Sequence, residues 1–403
     1  MSTVQTVALG EAMYLLRVTD RSSKYFEGVW DIPEGITYNA YVLKTPEGAV
    51  LFDTVKANFT DDYLQALWEL VSPEEIRHIV IHHMEPDHSG ALPAVLEATG
   101  GKPEVWGHAF TKRLLASMYG LNPTFHTVKD GNELVFGGER MVFYLTPWLH
   151  WPETMVTYFP EKGYLLTGDI LGGFGTPEAV FDDAPEDVRV FLPMARKYFA
   201  TVVGHYKAHV IKQLPRLKAL GVHPRMVLPA HGLLWRHDPQ HIIDRYVEWA
   251  EGAPTPGKVV VAYTSMYRYA EEAIEYILSL LRERGLSPVV YRYVDDHHDE
   301  VSDLLGELPD AQAVILGTAT YEGGMYLPMK HLIEEIIHKA DYPKPLMLLA
   351  AYGWAGAAGK EAARLFEGSA YKLIDVVEFR GKLSADDRQK LQAAVARLLE
   401  AEA

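Results

Sequence analysis

Seven residues with metal-ligand side chains stand in an order and spacing that suit a pair of metal ions. Four fall in one hexapeptide, His83-Met-Glu85-Pro-Asp87-His88. His150, Asp169 and His231 follow, at successive intervals of 62, 19 and 62 residues from His88. Four imidazoles and three carboxylates offer borderline nitrogen and hard oxygen donors. These suit ferrous and ferric iron, and zinc accepts many of the same ligands. Three carboxylate charges nearly neutralise two divalent cations. Three terminal ligands per metal plus one shared carboxylate leave coordination positions open, and two metals about 3.5–4 Å apart can hold both ends of a diatomic molecule. Alone, such a site suggests hydrolysis. Beside a redox cofactor it suggests delivery of electrons to a small molecule.

Each candidate ligand is expected at a strand end. Ile79–His82 reads as a buried strand and His83–His88 as a loop stiffened by Pro86. Ser89 is expected to cap a helix beginning at Gly90 or Ala91. Acids are favoured ahead of a helix N-terminus, but that role does not account for the two flanking histidines or the later residues. His150 lies between Trp148 and Trp151, Asp169 ends the run YLLTGD, and His231 follows MVLPA. His82 is expected to face the other side of its strand. His237, His241, His297 and His298 sit in polar stretches and are expected to be solvated. Trp148, Trp151, Tyr198 and Tyr206 are candidates to shield the site, with core packing as their ordinary use.

A chain of 403 residues fits two domains. Its 48% hydrophobic and 23% charged residues are ordinary for a globular protein. A net charge of −16 repels phosphate backbones and anionic lipid, which argues against nucleic acid or membrane as the main partner. There is no cysteine, which excludes disulfides, thiolate metal sites, cysteine-ligated clusters and a cysteine nucleophile. The start lacks a basic segment followed by an apolar run, so no signal peptide is expected. The apolar stretch LMLLAAYGWAGAAG is too short and glycine-rich to span a bilayer. A cytoplasmic location is therefore expected.

The boundary falls at Gly252-Ala-Pro-Thr-Pro-Gly257, giving domains 1–251 and 258–403. Before it stand the strand-like runs YNAYVLKT, AVLFDTV, HIVIHH, MVFYLTP and GYLLTGD, many of them separated by turn signals such as Pro46-Glu-Gly48, Asp130-Gly131 and Gly137-Gly138. Helical stretches such as DDYLQALWELV interleave, and the pattern predicts an α/β sandwich. After the boundary, VVVAYTS leads to a helix whose Ile274, Ile277, Leu278 and Leu281 share one face before Gly285. PVVYRYV, AQAVILGT and KPLMLLAAY read as further buried strands. Ser384 and Asp387 predict a capped final helix with Leu391, Val395, Leu398 and Leu399 on its apolar face. Five strands alternating with helices predict a doubly wound parallel sheet.

Three loops of the second domain are expected to converge at one sheet edge. They are Thr264-Ser265-Met266-Tyr267-Arg268-Tyr269, Thr318-Ala319-Thr320-Tyr321-Glu322-Gly323-Gly324 and Tyr352-Gly353-Trp354-Ala355-Gly356. The first enters a helix whose N-terminal amides suit a phosphate. Glycines let backbone approach a flat ring, and Tyr321, Tyr352 or Trp354 can stack on it. No G-x-G-x-x-G follows the first strand, which argues against a dinucleotide.

His83-x-Glu85-x-Asp87-His88 with His150, Asp169 and His231 resembles the motif of the metallo-β-lactamase fold, with Glu85 replacing its second histidine. That replacement resembles the flavodiiron proteins (A-type flavoproteins), as do the segments YNAYVLK and LPAHGLLWR. The resemblance implies a metallo-β-lactamase αββα sandwich followed by a flavodoxin-like five-stranded sheet that binds FMN. It implies one iron on His83, Glu85 and His150, a second on Asp87, His88 and His231, and Asp169 bridging. It implies reduction of dioxygen to water, of nitric oxide to nitrous oxide, or of both. Two ferrous ions and one reduced FMN hold the four electrons that dioxygen needs. The implied electron donor is external, rubredoxin first and reduced deazaflavin second, and the implied assembly is a head-to-tail homodimer or dimer of dimers. The first loop departs from the family pattern S-M-x-x-[NT]-T. Arg268, Tyr269 and Ala270 stand there, hydroxyl donors are lost, and Arg268 is expected to supply charge instead. The competing classes are a dinuclear zinc hydrolase with a flavodoxin-like appendage and a non-catalytic electron carrier or gas sensor.

Overall fold

The computed structural model describes residues 4–10 and 12–401. Residues 1–3 and 402–403, which end the two expected domains, lie outside the described residues, as does part of the segment read for a signal peptide. The chain forms two compact units. The first runs to Tyr198 and resumes over Tyr206–Val247, and the second takes Phe199–His205 and the chain from Glu248 onward. The expected domain ranges put 199–205 in the first domain. The structure groups this segment with the second, because the buried π-helical turn Phe199–Val203 packs on helix Val301–Glu307.

The first unit is a sandwich of two sheets. One is ordered β1(Val4–Ala8), β2(Met13–Asp20), β3(Ile36–Thr45), β4(Gly48–Phe52), β5(Ile76–Ile81), β6(Glu104–Gly107), β7(Phe125–Thr127). Its first four strands form an antiparallel meander and its last four run parallel. The other is β8(Glu133–Phe136), β9(Glu139–Leu145), β10(Met155–Phe159), β11(Tyr164–Gly168), β12(Met226–Pro229), with only the final pair parallel. Phe136 pairs with Glu139, so Gly137 and Gly138 alone make the turn, at φ +58° and +82°. Two consecutive positive φ values are what a tight hairpin of this twist requires, and glycine supplies them without strain.

Alternation along the strands sends Leu15, Tyr41, Phe52 and Val80 inward from one sheet. They meet Phe143, Met155, Phe159 and Leu228 from the other. Each such side chain, fully buried, contributes roughly 1.5–3 kcal/mol. The parallel strands β5, β11 and β12 end on the side where the candidate ligands begin.

The second unit is a doubly wound sheet. Its parallel strands are β13(Lys258–Ser265), β14(Ser287–Val294), β16(Ala313–Tyr321), β18(Pro345–Tyr352) and β19(Lys372–Arg380), in spatial order β14-β13-β16-β18-β19. The fifth strand, counted but not placed from sequence, is β19. Short β15(His297–His298) and β17(Gly324–Met325) add antiparallel to β14 and β16. Strand β14 was expected buried but is largely half-buried, because only the two residues of β15 lie beyond it. Helix Tyr269–Glu283 buries Ile274, Ile277, Leu278 and Leu281, and Gly285 follows at φ +72°. Ser384 caps the final helix, Ala385–Glu400, in a reciprocal capping box with Asp387. Among the described residues no helix is long and apolar enough to cross a membrane.

Candidate metal centre and cofactor cleft

Strand β5 stops at Ile81, and the candidate ligands begin two residues later. Pro86 starts a single helical turn, Pro86–Ser89, earlier than the sequence suggested. Ser89 is therefore already inside a turn and caps nothing. Its hydroxyl bonds back to the Met84 and Glu85 carbonyls at 2.8 and 2.9 Å and meets the Tyr119 hydroxyl at 2.9 Å. The next helix, Leu92–Ala98, has Ala91 at its cap position and no side-chain cap. Thr54, just past β4, ties this segment down. Its amide and hydroxyl both donate to the His88 carbonyl, at 2.7 and 2.8 Å.

The seven residues separate into two trios and a shared carboxylate. His83, Glu85 and His150 bring one ligand atom each to a common point, and so do Asp87, His88 and His231. Within each trio the atoms lie within 4.8 Å of one another. Asp169 stands between the trios. Its Oδ2 is 3.6 Å from both His83 Nε2 and His150 Nε2, while its Oδ1 is 2.8 Å from His88 Nε2 and 3.1 Å from His231 Nε2. All are buried except Glu85, which is partly exposed.

Other buried side chains fix the ring orientations. His83 Nδ1 is 2.8 Å from Glu153 Oε1, and His231 Nδ1 is 2.7 Å from the Thr37 carbonyl. Both partners only accept, so each Nδ1 carries a proton and Nε2 is the ring atom that faces the centre. The loop bearing His231 hangs from polar groups inside the sandwich. Arg17 Nη2 donates to the Gly232 carbonyl, Tyr41 donates to the Pro229 carbonyl, and the Gly232 amide donates to Thr37 Oγ1. Burial lowers the Arg17 guanidinium to about 10. Trp151 meets His83 edge-on at 4.8 Å, and Phe26 and Tyr38 meet His231 edge-on at 6.1 and 5.7 Å.

Tyr198 donates its hydroxyl to Asp169 Oδ1 at 2.9 Å. It was expected only as a shield or as packing. Burial and the Asp169 charge push its phenol well above the ordinary value, so it stays a donor. Trp148 is half exposed and stacks on Tyr206. His82 faces away from the centre, as expected. Its Nδ1 donates to Asp53 Oδ2 at 2.6 Å and its Nε2 lies 2.7 Å from Thr157 Oγ1. His237, His297 and His298 are exposed, but His241 is partly buried beside Trp235. Glu153, Arg17 and Thr37 are site residues that sequence reasoning missed. The only signal for Glu153 was its position three residues after His150.

The centre is electrostatically tense without cations. Burial would lower His88 and His150, but Asp169 with Asp87 and Asp169 with Glu85 push them up to about 10 and about 9. Burial would raise Asp169 and Glu85, but the surrounding imidazoles hold both well below the usual carboxylate range. Burial raises Asp87. Both Asp87 oxygens, Asp169 Oδ2 and His150 Nε2 are buried without a hydrogen-bond partner. Unpaired buried acceptors facing one another are costly, and a pair of cations answers that cost. The donor set, its burial and these orphaned atoms fit two metal ions.

In the second unit a cleft of about 700 Å³ opens where β13, β16 and β18 end. The sheet order reverses between β13 and β16, and ligands of such sheets bind at that switch point. Ser265, Met266, Tyr267, Tyr269, Ala319, Thr320, Tyr321, Tyr352, Gly353 and Trp354 line it. Four expected residues do not. Thr264 and Thr318 are buried beneath, their hydroxyls 3.0 Å apart. The Gly356 α-carbon faces the Glu378 carboxylate. Arg268, at a left-handed φ of +67°, is exposed and pairs with Glu271 Oε2 at 2.6 Å rather than lining the cleft. The second expected loop is mostly strand, since β16 continues to Tyr321 and turns back through β17. The wall of apolar and aromatic groups fits a flat ring system.

Comparison with known proteins bears on both units. A family model described as ODP family beta lactamase matches residues 36–232. A rubredoxin-oxygen oxidoreductase of Megalodesulfovibrio gigas is 30% identical, over 92% of this chain and 91% of the relative. A nitric oxide reductase of Moorella thermoacetica is 28% identical over 92% of both. A mutant form of a flavo di-iron protein from Thermotoga maritima superposes with a TM-score of 0.94 at 39% identity, over 99% of both chains. A metallo-β-lactamase-like unit joined to a flavodoxin-like unit is the class that fold and site define. The chain belongs to the flavodiiron protein family.

Proposed function

We propose that this chain is a flavodiiron reductase that converts dioxygen to water, nitric oxide to nitrous oxide, or both. The observation that carries the reading is Asp169, whose two oxygens face two separate ligand trios. His83, Glu85 and His150 would hold one iron, Asp87, His88 and His231 the other, with Asp169 shared. FMN would occupy the cleft of the second unit. Two irons and reduced FMN, when bound, supply four electrons for dioxygen or two for a pair of nitric oxide molecules. The relatives named for oxygen and nitric oxide reduction span both units, which favours this reading over a zinc hydrolase.

The chain's own groups do the rest. Glu153 and the Thr37 carbonyl hold two imidazoles in one tautomer. Tyr198 keeps a hydroxyl proton at the bridging carboxylate. Trp151, Phe26 and Tyr38 exclude water from the imidazoles they flank. Rubredoxin as donor, a head-to-tail homodimer or dimer of dimers, and a cytoplasmic setting complete the proposal. They rest on family resemblance and on the wording of a relative's name.

Elemental analysis of protein made with ample iron tests the centre. Two irons per chain, with flavin released on denaturation, are expected. Two zincs despite ample iron would reject the redox reading. Rapid anaerobic mixing of the reduced protein with dioxygen or nitric oxide then identifies the gas. A monomeric variant is expected to keep both cofactors and lose turnover.

A further inference from the structure

The flavin reading above, on which this inference rests, assigns the cofactor's anionic end to the start of helix Tyr269–Glu283, since helix N-terminal amides are where a phosphate docks. The structure offers little else to hold an anion there. Thr264 and Thr318 are fully buried beneath the cleft, where one hydroxyl donates to the other across 3.0 Å. Thr320, which lines it, accepts from the Ala357 and Ala358 amides at 3.0 and 3.3 Å, so its oxygen is held toward the third loop and it has a single hydroxyl proton to offer a ligand. Ser265 is left as the aliphatic hydroxyl of the first loop that faces the cleft. At the helix start, Tyr269 and Ala270 supply no aliphatic hydroxyl, and Arg268 is paired with Glu271 outside the cleft.

Charge makes matters worse for an anion. Glu271 and Glu272 fill the first helical turn and, with Glu275 and Arg268, wall a depression beside the cleft. Glu322 lines the cleft itself, and no lysine, arginine or histidine is among the described lining residues. Arg380 lies by the third loop, where it donates to the Trp354 carbonyl and sits 5.7 Å over the Tyr352 ring. Carboxylates in the first turn already satisfy the positive end of the helix, so they compete with a bound phosphate. The ring end is richer. Tyr267, Tyr321, Tyr352 and Trp354 offer aromatic faces around an apolar wall.

We propose that this cleft recognises the flavin through its ring rather than its phosphate, and accepts unphosphorylated riboflavin nearly as well as FMN. Both carry the same isoalloxazine, so the electrons they deliver are the same. The full chain, stripped of flavin, is titrated separately with FMN and with riboflavin while flavin fluorescence is followed. The two dissociation constants are expected within about tenfold of each other, a difference of at most about 1.4 kcal/mol. Glu271→Gln frees Arg268 and removes one carboxylate, and is expected to tighten FMN severalfold while leaving riboflavin unchanged. FMN preferred by more than tenfold in the native chain would overturn the proposal and leave the flavin site standing. Binding of neither flavin would remove the flavin reading itself, and this proposal with it.

Discussion

The metal centre and the cofactor cleft are both built at the carboxyl ends of parallel strands, and they are finished in opposite ways. The centre is closed, and charged side chains fill it. Arg17, Thr37, Glu153 and Tyr198 then fix those side chains or the loops that carry them. The cleft is open and bounded by backbone turns and aromatic faces. Two of its aromatics, Tyr267 and Trp354, are 79% and 86% exposed. A site that must hold cations specifies each donor atom. A site that must hold a flat ring specifies mainly a shape, and many side chains satisfy a shape.

The two regions should therefore respond differently to substitution. The largest effect is expected from Asp169→Asn, which weakens the group common to both trios. Bound metal should fall from two per chain to about one or fewer, while flavin content stays unchanged. If both metals remained, Asp169 would not be shared. Next comes pH. In the folded, metal-free chain His88 and His150 are raised above the ordinary histidine value, to about 10 and about 9. Each holds its proton until pH passes that value, and a metal must displace it. Affinity should thus climb about tenfold per pH unit per displaced proton up to about pH 9, and fall as pH drops. Calorimetry in buffers of different ionisation enthalpy counts the protons. No histidine is among the described lining residues of the cleft, so riboflavin binding should stay flat over the same range.

Glu153→Gln keeps shape but removes charge behind His83, and should cost about 10–100-fold in affinity for one metal of the pair. Equal loss at both metals would contradict the one-sided contact. Tyr198→Phe removes one hydrogen bond to a carboxylate. It should lower turnover roughly 10- to 100-fold with metal content intact, in keeping with about 1.5–3 kcal/mol for a bond to a charged group. The smallest effect is Ser384→Ala at the final helix cap. A loss of about 1 kcal/mol should appear in the melting of the second unit, with metal content unmoved.

The same contrast governs what the amino acids disclosed. His83, Glu85, Asp87, His88, His150, Asp169 and His231 were legible as candidates because a ligand must be one of a few residue types, although only some stand at a strand end: His150 lies midway along the loop between β9 and β10, and Asp87 and His88 lie in the turn Pro86–Ser89. Their supports were not. Thr37 acts through its carbonyl, which has no residue signature. Arg17 lies within β2, where a charged residue in a buried strand is intelligible only once its partners, Asn39 Oδ1 and the Ala179 and Gly232 carbonyls, are known. Glu153 resembles any acid near a turn. In the second unit the five-stranded alternation and the Ser384 cap were readable from local pattern alone. The cleft was readable only as three loops. Thr264 and Thr318 look like binding hydroxyls until strand register places them beneath the surface, bonded to each other. Arg268 looks like an anion ligand until the fold places the Glu271 carboxylate against it. Ser89 failed as a cap because Pro86 set the helical turn first.

The segment Phe199–His205 leaves the first unit directly after Tyr198 and belongs with the second before the chain returns at Tyr206. The polypeptide thus passes between the units three times rather than once. No single cut yields two whole halves. A fragment beginning at Lys258 would lack the turn that covers helix Val301–Glu307 and expose apolar surface there, inviting aggregation. The two units are consequently poor candidates for exchange as separate cassettes. Shuffling either one among homologues would have to carry seven residues encoded deep inside the other.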